Sequence, residues 1–164
     1  MKTRELTHTA ISLSLITISF ILFKGTTNVF NAVTVPTILY LNYSKFSLRE
    51  YTTLVLLNFI MALLFFFQQL FFIFFYAVMA VLIKRILRQN YSKFFSFLIL
   101  AVGFGGGFYF TLTLTDTILG TALRNVLASV AAGNPILLIL LYSFTSSFVA
   151  AALILIIPEI DKRL

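Results

Sequence analysis

Six apolar stretches recur along the chain, and none of them contains Lys, Arg, Asp or Glu. Because about 20 apolar residues in a helix cross the hydrocarbon core of a bilayer, such stretches predict transmembrane helices. The pattern therefore predicts an all-α, polytopic membrane protein that forms a single domain over residues 1–164. We place its six transmembrane helices roughly at residues 8–23, 29–43, 51–67, 70–83, 94–115 and 135–157.

The third and fourth helices come from one continuous apolar region, residues 51–83. As a single helix, this region would be about 50 Å long at 1.5 Å per residue, which greatly exceeds a bilayer core. We therefore predict two helices joined by a tight turn near Gln68 and Gln69, although no Gly or Pro marks that turn.

The three prolines carry different positional meanings. Pro36 lies inside the second helix, where it removes one backbone donor and favours a kink. Pro135 opens the sixth helix, because proline suits a first helical turn. We expect that helix to end near residue 157, just before Pro158. The connection over residues 116–134 is semi-polar and has room for a short interfacial helix.

The composition supports a membrane protein. Of the 164 residues, 60% are hydrophobic and 10% are charged, whereas about 25% are charged in soluble domains. A soluble domain of this size has too much surface for its volume to bury so many apolar side chains. The N-terminal stretch resembles a signal peptide, but Lys24 and Gly25 follow it instead of a small-residue cleavage site, so we interpret it as a retained helix.

The positions of the basic residues test the six-helix prediction, because cytoplasmic loops carry an excess of Lys and Arg. With both termini inside, ten basic residues are cytoplasmic: Lys2, Arg4, Lys45, Arg49, Lys84, Arg85, Arg88, Lys93, Lys162 and Arg163. Only Lys24 and Arg124 are external. This asymmetry predicts an N-in, C-in, multi-pass protein of the cell membrane. The net charge of +7 then indicates contact with anionic lipid rather than with nucleic acid.

Motifs for catalysis are nearly absent. The only histidine is His8, there is no cysteine, and no group of acidic residues has metal-ligand spacing. Nucleophile elbows and phosphate-binding loops are also missing. We therefore expect a protein that is not an enzyme and holds no metal or cofactor. Ion-coupled transport by this chain alone is disfavoured, because it needs an ionisable group at mid-membrane.

Two features consist of small residues, which let helices approach closely in a membrane. The first is the segment GFGGG, with Gly103, Gly105, Gly106 and Gly107 in the fifth helix. Helix packing is favoured there over a hinge beside a ligand. The second is a face of the first helix formed by Ala10 and Ser14, which are four residues apart. That face suits intramolecular packing and partner docking about equally.

Many polar side chains fall near the predicted outer face, at the external loops and the helix ends beside them. An apolar pocket with a few convergent polar groups is the usual binding site for a small molecule. A ring such as that of Tyr109 can stack on a planar ligand. The alternative is that loops are polar only because they face water. The predicted substrate-binding residues are Asn28, Asn31, Gln68, Tyr109, Asp116, Arg124 and Asn125.

With these features, the chain resembles the substrate-binding S components of energy-coupling factor (ECF) transporters. The resemblance rests on the opening MKTRELTHTAISLSLI with its small face, on the stretch VPTILYLNYSKFSLREY, on the basic loop KRILRQNYSK and on the six-helix size. It implies a subunit that captures a vitamin or related micronutrient at the outer face. The implied partners are a transmembrane coupling subunit and two ATP-binding cassette (ABC) ATPases.

The resemblance also implies roles for individual residues. Asn28 and Asn31 would gate the ligand site, and the pocket would use Asp116, Arg124 and Asn125. Ala10 and Ser14 would dock on the coupling subunit, although Ser14 stands where the family has Ala. The absence of Trp removes a stacking group that some members use. The alternative hypothesis is a structural or assembly protein of the cell envelope, with protein partners and no small-molecule ligand.

Overall fold

A computed structural model of the chain describes residues 3–23, 28–89 and 91–163, and every regular element among them is helical. The helices are α1 (Thr3–Leu22), α2 (Asn28–Lys45), α3 (Leu48–Phe65), α4 (Leu70–Arg88), α5 (Lys93–Leu119), α6 (Leu123–Val130) and α7 (Pro135–Arg163). The prediction of an all-α protein is confirmed for these residues. Lys2, Lys24 and Gly25 lie outside the described residues, as do the side chains of Arg4, Asn28 and Arg163.

The apolar region over residues 51–83 is divided where the sequence predicts a turn. A single 3₁₀ turn, Phe67–Gln69, separates α3 from α4. The backbone N–H of Gln69 donates to the carbonyl of Phe66 at 2.7 Å. Phe66 adopts φ −136° and ψ 54°. Its φ is negative, so the turn does not need the positive φ that favours glycine. The chain can therefore reverse direction here without Gly or Pro.

The prediction that the last helix ends before Pro158 is wrong, because α7 continues through Pro158 to Arg163. A proline inside a helix removes one backbone hydrogen bond, and contacts around it stabilise the continued turn. The side chain of Ile157 is completely buried, and the hydroxyl of Tyr40 on α2 donates to the carboxylate of Asp161. The connection between α5 and α7 does contain a short helix, α6, as the sequence predicts.

The six long helices pack as three adjacent pairs: α1 with α3, α2 with α4, and α7 with α5. The α2–α4 pair lies in the middle, because α2 also contacts α1 and α7 while α4 also contacts α3 and α5. α6 packs across the ends of α5 and α7. The core accordingly follows the central pair, with Leu39 and Val35 of α2 and Phe72 and Tyr76 of α4 almost fully buried.

Apolar surface is exposed on each long helix. Examples are Ile21 on α1, Phe30 on α2, Leu64 on α3, Val78 on α4, Phe110 on α5 and Phe144 on α7. Among the described residues, four helical spans are long and apolar enough to cross a membrane: Leu48–Phe65, Phe67–Arg88, Lys93–Leu119 and Pro135–Lys162. Leu6–Leu22 is a shorter apolar helix. Since contiguous exposed apolar surface marks membrane or protein contact, these features are compatible with a membrane protein.

The glycines of GFGGG occupy different environments around α5. A Cβ at Gly107 would lie 2.3 Å from the ring of Phe75 on α4, and one at Gly103 would lie 3.2 Å from Leu82 on the same helix. A Cβ at Gly106 would meet nothing within 4 Å. Close approach of α4 to α5 therefore depends on Gly107 above all. The packing interpretation of this segment agrees with these contacts.

Gly107→Ala should reduce the free energy of unfolding by about 1–3 kcal/mol, the usual cost of overpacking a well-filled core. The Phe75 ring has little freedom to move, because it is buried against Phe104 and Tyr76. Gly106→Ala is the matched control and should be neutral or stabilising, since alanine favours a helix interior. Thermal unfolding of both variants in mild detergent measures the difference. Equal stability of the two variants would contradict the packing role of Gly107.

Candidate functional site

The most ordered polar group at the predicted outer end of the bundle surrounds Asp116, near the C-terminus of α5. Its Oδ1 accepts from the hydroxyl of Thr121 at 2.6 Å and from the backbone N–H of Leu123 at 2.9 Å. Its Oδ2 accepts from the backbone N–H of Arg124 at 2.9 Å and from the Arg124 Nε at 3.3 Å. A carboxylate at a helix N-terminus satisfies free backbone donors and interacts favourably with the helix dipole. Asp116 thus anchors the start of α6.

The bonds to Asp116 determine which polar groups are presented to solvent. The Asp116 side chain is only 6% exposed, whereas that of Arg124 is 45% exposed. Asn125, the next residue on α6, is also exposed. The carboxylate therefore fixes the position of the α6 N-terminus, and the partly exposed guanidinium is a charged group available to an anionic ligand.

An aromatic pair lies about two helical turns from Asp116 along α5. The rings of Tyr109 on α5 and Tyr142 on α7 are nearly perpendicular, with centroids 6.0 Å apart. Tyr109 is 53% exposed, and Asp116 lies seven residues after it, on the same face of α5. An exposed ring on the same helix face as a carboxylate–guanidinium pair is suited to a planar molecule with an anionic group.

Asn31 lies in a different part of the bundle, between α1 and α2. It is completely buried, and its Oδ1 accepts from the hydroxyl of Ser19 at 2.7 Å. Its Nδ2 donates to the backbone carbonyl of Phe23 at 3.3 Å. These bonds join the end of α1 to the beginning of α2. Gln68 is exposed at the turn between α3 and α4, and the side chain of Asn28 lies outside the described residues.

The structure thus brings together only part of the predicted set. Tyr109 and Asp116 on one face of α5, with Arg124 and Asn125 at the start of α6, lie toward the same end of the bundle, and we call these four residues the Tyr109–Arg124 group. Asn31 belongs to the α1–α2 contact, on the other side of the central helix pair. One cavity, of about 180 Å³, lies between α4, α5 and α7, and another, of about 300 Å³, lies between α6 and α7. None of the six predicted substrate-binding residues whose side chains the structure describes lines either cavity.

The small face of α1 is not used for packing within the described chain. Ala10 and Ser14 are both exposed, whereas Ser12, Ile16 and Ser19 turn toward the bundle and are buried. Leu6, Ile11, Leu15, Ile18 and Ile21 are exposed around the two small residues. Of the two interpretations of this face, intramolecular packing is excluded for the described residues, and an unoccupied lateral surface is what the structure shows.

Sequence reasoning missed Tyr76, in the middle of the central helix pair. Its side chain is completely buried, and its hydroxyl has no hydrogen-bond partner in the described part of the chain. It packs beside Phe72 and Phe75, which continue through Phe104 and Phe108 on α5 to Tyr142 on α7. Buried polar groups in native proteins nearly always have partners. The sequence offered one clue, since Tyr76 is the only hydroxyl between Gln69 and Lys84.

Comparisons with known proteins add no relative: no family model, no curated protein and no solved structure matches this chain. Within the described residues, no group of three or more His, Asp or Glu side chains is placed to hold a metal ion.

Tyr76→Phe should raise the free energy of unfolding by about 1 kcal/mol, because it removes a buried hydroxyl that lacks a partner. Tyr51→Phe is the matched control, since the Tyr51 hydroxyl is buried and donates to the Ala77 carbonyl at 2.8 Å. This control should lower stability by a similar amount. Thermal unfolding in one detergent compares the two variants. A destabilised Tyr76→Phe would show that the hydroxyl has a partner in the folded protein.

Proposed function

We propose that this chain is a six-span membrane protein with both termini in the cytoplasm, which captures a vitamin-like molecule at its outer face. It would deliver that molecule as the substrate-binding subunit of an ECF-type importer, together with a coupling subunit and two ABC ATPases. The observation that carries this proposal is the exposed small face of α1. It is accompanied by a second surface of suitable chemistry, the Tyr109–Arg124 group on α5 and α6.

The exposed small face supports docking of another helix. Ala10 and Ser14 lie within a strip of exposed apolar side chains, and small residues permit the close backbone contacts that hold membrane helices together. A face that only contacted lipid would have no need of small residues. This surface therefore suits a membrane-embedded partner such as a coupling subunit.

The Tyr109–Arg124 group supports capture of a small, anionic or planar compound. Arg124 is held in place through its Nε and backbone N–H, while much of its side chain stays exposed. Tyr109 adds an exposed ring within the same group. α6 is short and rests on the ends of α5 and α7, and its bonds to Asp116 hold Arg124 at this end of the bundle.

The basic residues support the orientation. Lys45 at the end of α2, Arg85 and Arg88 in the last turn of α4, and Lys93 at the start of α5 belong to one end of the bundle. Arg124 belongs to the opposite end, at the start of α6. Cytoplasmic ends carry the excess of basic residues.

A structural or assembly role is the second candidate, and one observation favours it. The polar atoms of Asp116 and Asn31 are engaged in bonds that hold helices together, and apolar side chains line the cavity between α6 and α7. In this alternative the small face of α1 binds an envelope protein, and no small molecule is captured.

The captured compound is sought by native mass spectrometry of protein purified in mild detergent, followed by identification of whatever is released and by exposure to a vitamin panel. We expect one small molecule per chain. Arg124→Gln should weaken its binding about tenfold or more, the usual effect of losing a charge-assisted hydrogen bond. Lys162→Gln, at the opposite end of the bundle, should bind normally. Protein that stays empty after the panel would favour the assembly role.

The orientation predicts which positions a membrane-impermeant maleimide reaches in intact cells. The chain has no native cysteine, so each single-cysteine variant reports one position. Phe23→Cys, Gln68→Cys and Asn125→Cys should react from outside, whereas Lys45→Cys and Gln89→Cys should react only after permeabilisation. Protection of Phe23→Cys in intact cells would mean that α1 and α2 do not cross the membrane.

The docking face predicts a specific loss of partners. Ala10→Trp and Ser14→Trp should abolish co-purification of a coupling subunit and its ATPases, because a large side chain prevents close helix contact. Leu155→Trp is the control, since Leu155 is 69% exposed on α7, which is not among the principal contacts of α1 in the described chain. Thermal unfolding should be unchanged in all three variants. Recovery of partners with Ala10→Trp would contradict docking through this face.

A further inference from the structure

The cavity of about 180 Å³ lies at the basic end of the bundle, between α4, α5 and α7. Its walls are mainly apolar, with Ile83 and Leu87 from α4, Leu100 from α5, and Ile154 and Pro158 from α7. Its volume is equivalent to roughly six water molecules in the liquid. Such an apolar space suits a segment of hydrocarbon chain better than water, which needs several polar partners.

Exposed cationic and aromatic side chains line this cavity or lie next to its lining residues in the chain. Lys93 and Tyr91 belong to its lining, and both are exposed. Arg88 lies one residue beyond Leu87 and is also exposed. Phe94 is 70% exposed beside Lys93. Aromatic and basic residues in this combination are typical of the membrane interface, where rings lie at headgroup level and cations meet phosphates.

Pro158 contributes to the cavity through the backbone. Because proline has no N–H, the carbonyl of Ile154, four residues earlier, lacks its usual helical donor. Ile154 and Pro158 line the same cavity. The α7 wall of the cavity therefore lies at a turn where the helical hydrogen-bond pattern is interrupted.

From this arrangement we infer that the cavity between α4, α5 and α7 binds an anionic phospholipid of the cytoplasmic leaflet. One acyl chain enters the apolar space, and the phosphate lies at Lys93 with Arg88 nearby. Charge complementarity identifies the occupant, because basic pockets between transmembrane helices on the cytoplasmic side suit anionic headgroups. The inference uses the membrane orientation proposed above and is independent of any captured vitamin.

The test compares phosphatidylglycerol with phosphatidylcholine of identical acyl chains, added to protein purified in mild detergent. Native mass spectrometry counts the bound lipids, and thermal unfolding reports stabilisation. Two pairs of variants separate charge from shape. Lys93→Gln removes the cation at the entrance, and Lys45→Gln removes one from α2 at the same end of the bundle. Ile154→Phe fills the cavity, and Ile139→Phe enlarges an exposed α7 residue outside it.

We expect one phosphatidylglycerol to bind more tightly than phosphatidylcholine. Lys93→Gln should weaken that binding about fivefold, the effect of one basic residue near an anionic headgroup, and Lys45→Gln should leave it unchanged. Ile154→Phe should prevent binding, while Ile139→Phe should not. Glycerol 3-phosphate alone should neither stabilise the protein nor compete with the lipid.

Equal affinity for the two lipids, or equal effects of Lys93→Gln and Lys45→Gln, would overturn the inference. Stabilisation by glycerol 3-phosphate that Ile154→Phe leaves intact would indicate a surface phosphate site and would overturn it as well. If Ile154→Phe does not fold, the comparison of Lys93→Gln with Lys45→Gln still tests the lipid site, because only Lys93→Gln should weaken phosphatidylglycerol binding. Lys93→Gln should still bind a captured vitamin normally. Loss of lipid binding in this variant can therefore be distinguished from loss of substrate capture.

Discussion

The contact between α2 and α4 determines where the other long helices lie. α1 and α7 pack against α2, and α3 and α5 pack against α4. The Phe67–Arg88 span is the most enclosed of the four candidate spans, with 56% of its most apolar 18 residues buried, against at most 28% in the others. Lys84 of α4 also donates to the carbonyl of Tyr43 at the end of α2 and lies 4.0 Å above the Tyr43 ring. The central pair is therefore held by buried apolar side chains and by Lys84, whose ammonium group donates to a carbonyl in the last turn of α2.

Polar side chains inside the helices are mostly satisfied by their own backbone. Hydroxyls of Thr37, Thr111 and Thr115 donate to the carbonyl four residues earlier, and so does the amide of Asn58. Water cannot serve these groups in a bilayer, so internal bonds are required. Against this background, the hydroxyl of Tyr76 is an exception.

The two surfaces of greatest functional interest lie on opposite sides of the central pair. The small face belongs to α1, and the Tyr109–Arg124 group belongs to α5 and α6. In the described chain, α1 is not among the principal contacts of α5 or α6, and α2 and α4 lie between them. If the chain captures a ligand and docks on a partner, any coupling between the two events passes through the pair that forms the core. Gly107 and Phe75 are on that route, because they set the distance between α4 and α5.

The sequence by itself determined the all-helical class and the positions of most helices. The reason is that an uncharged apolar stretch of about 20 residues has the length and polarity of a helix that fits a bilayer. It did not predict the continuation of α7 through Pro158, since buried Ile157 and the Tyr40–Asp161 bond are tertiary contacts. Exposure was also decided only by the tertiary structure. The sequence predicts Asn31 and Asp116 as ligand-binding residues, but in the fold each of them is hydrogen-bonded to other residues of the chain. Ala10 and Ser14, in contrast, remain exposed. Polarity is a property of a residue, but burial and hydrogen-bond partners depend on which helices become neighbours.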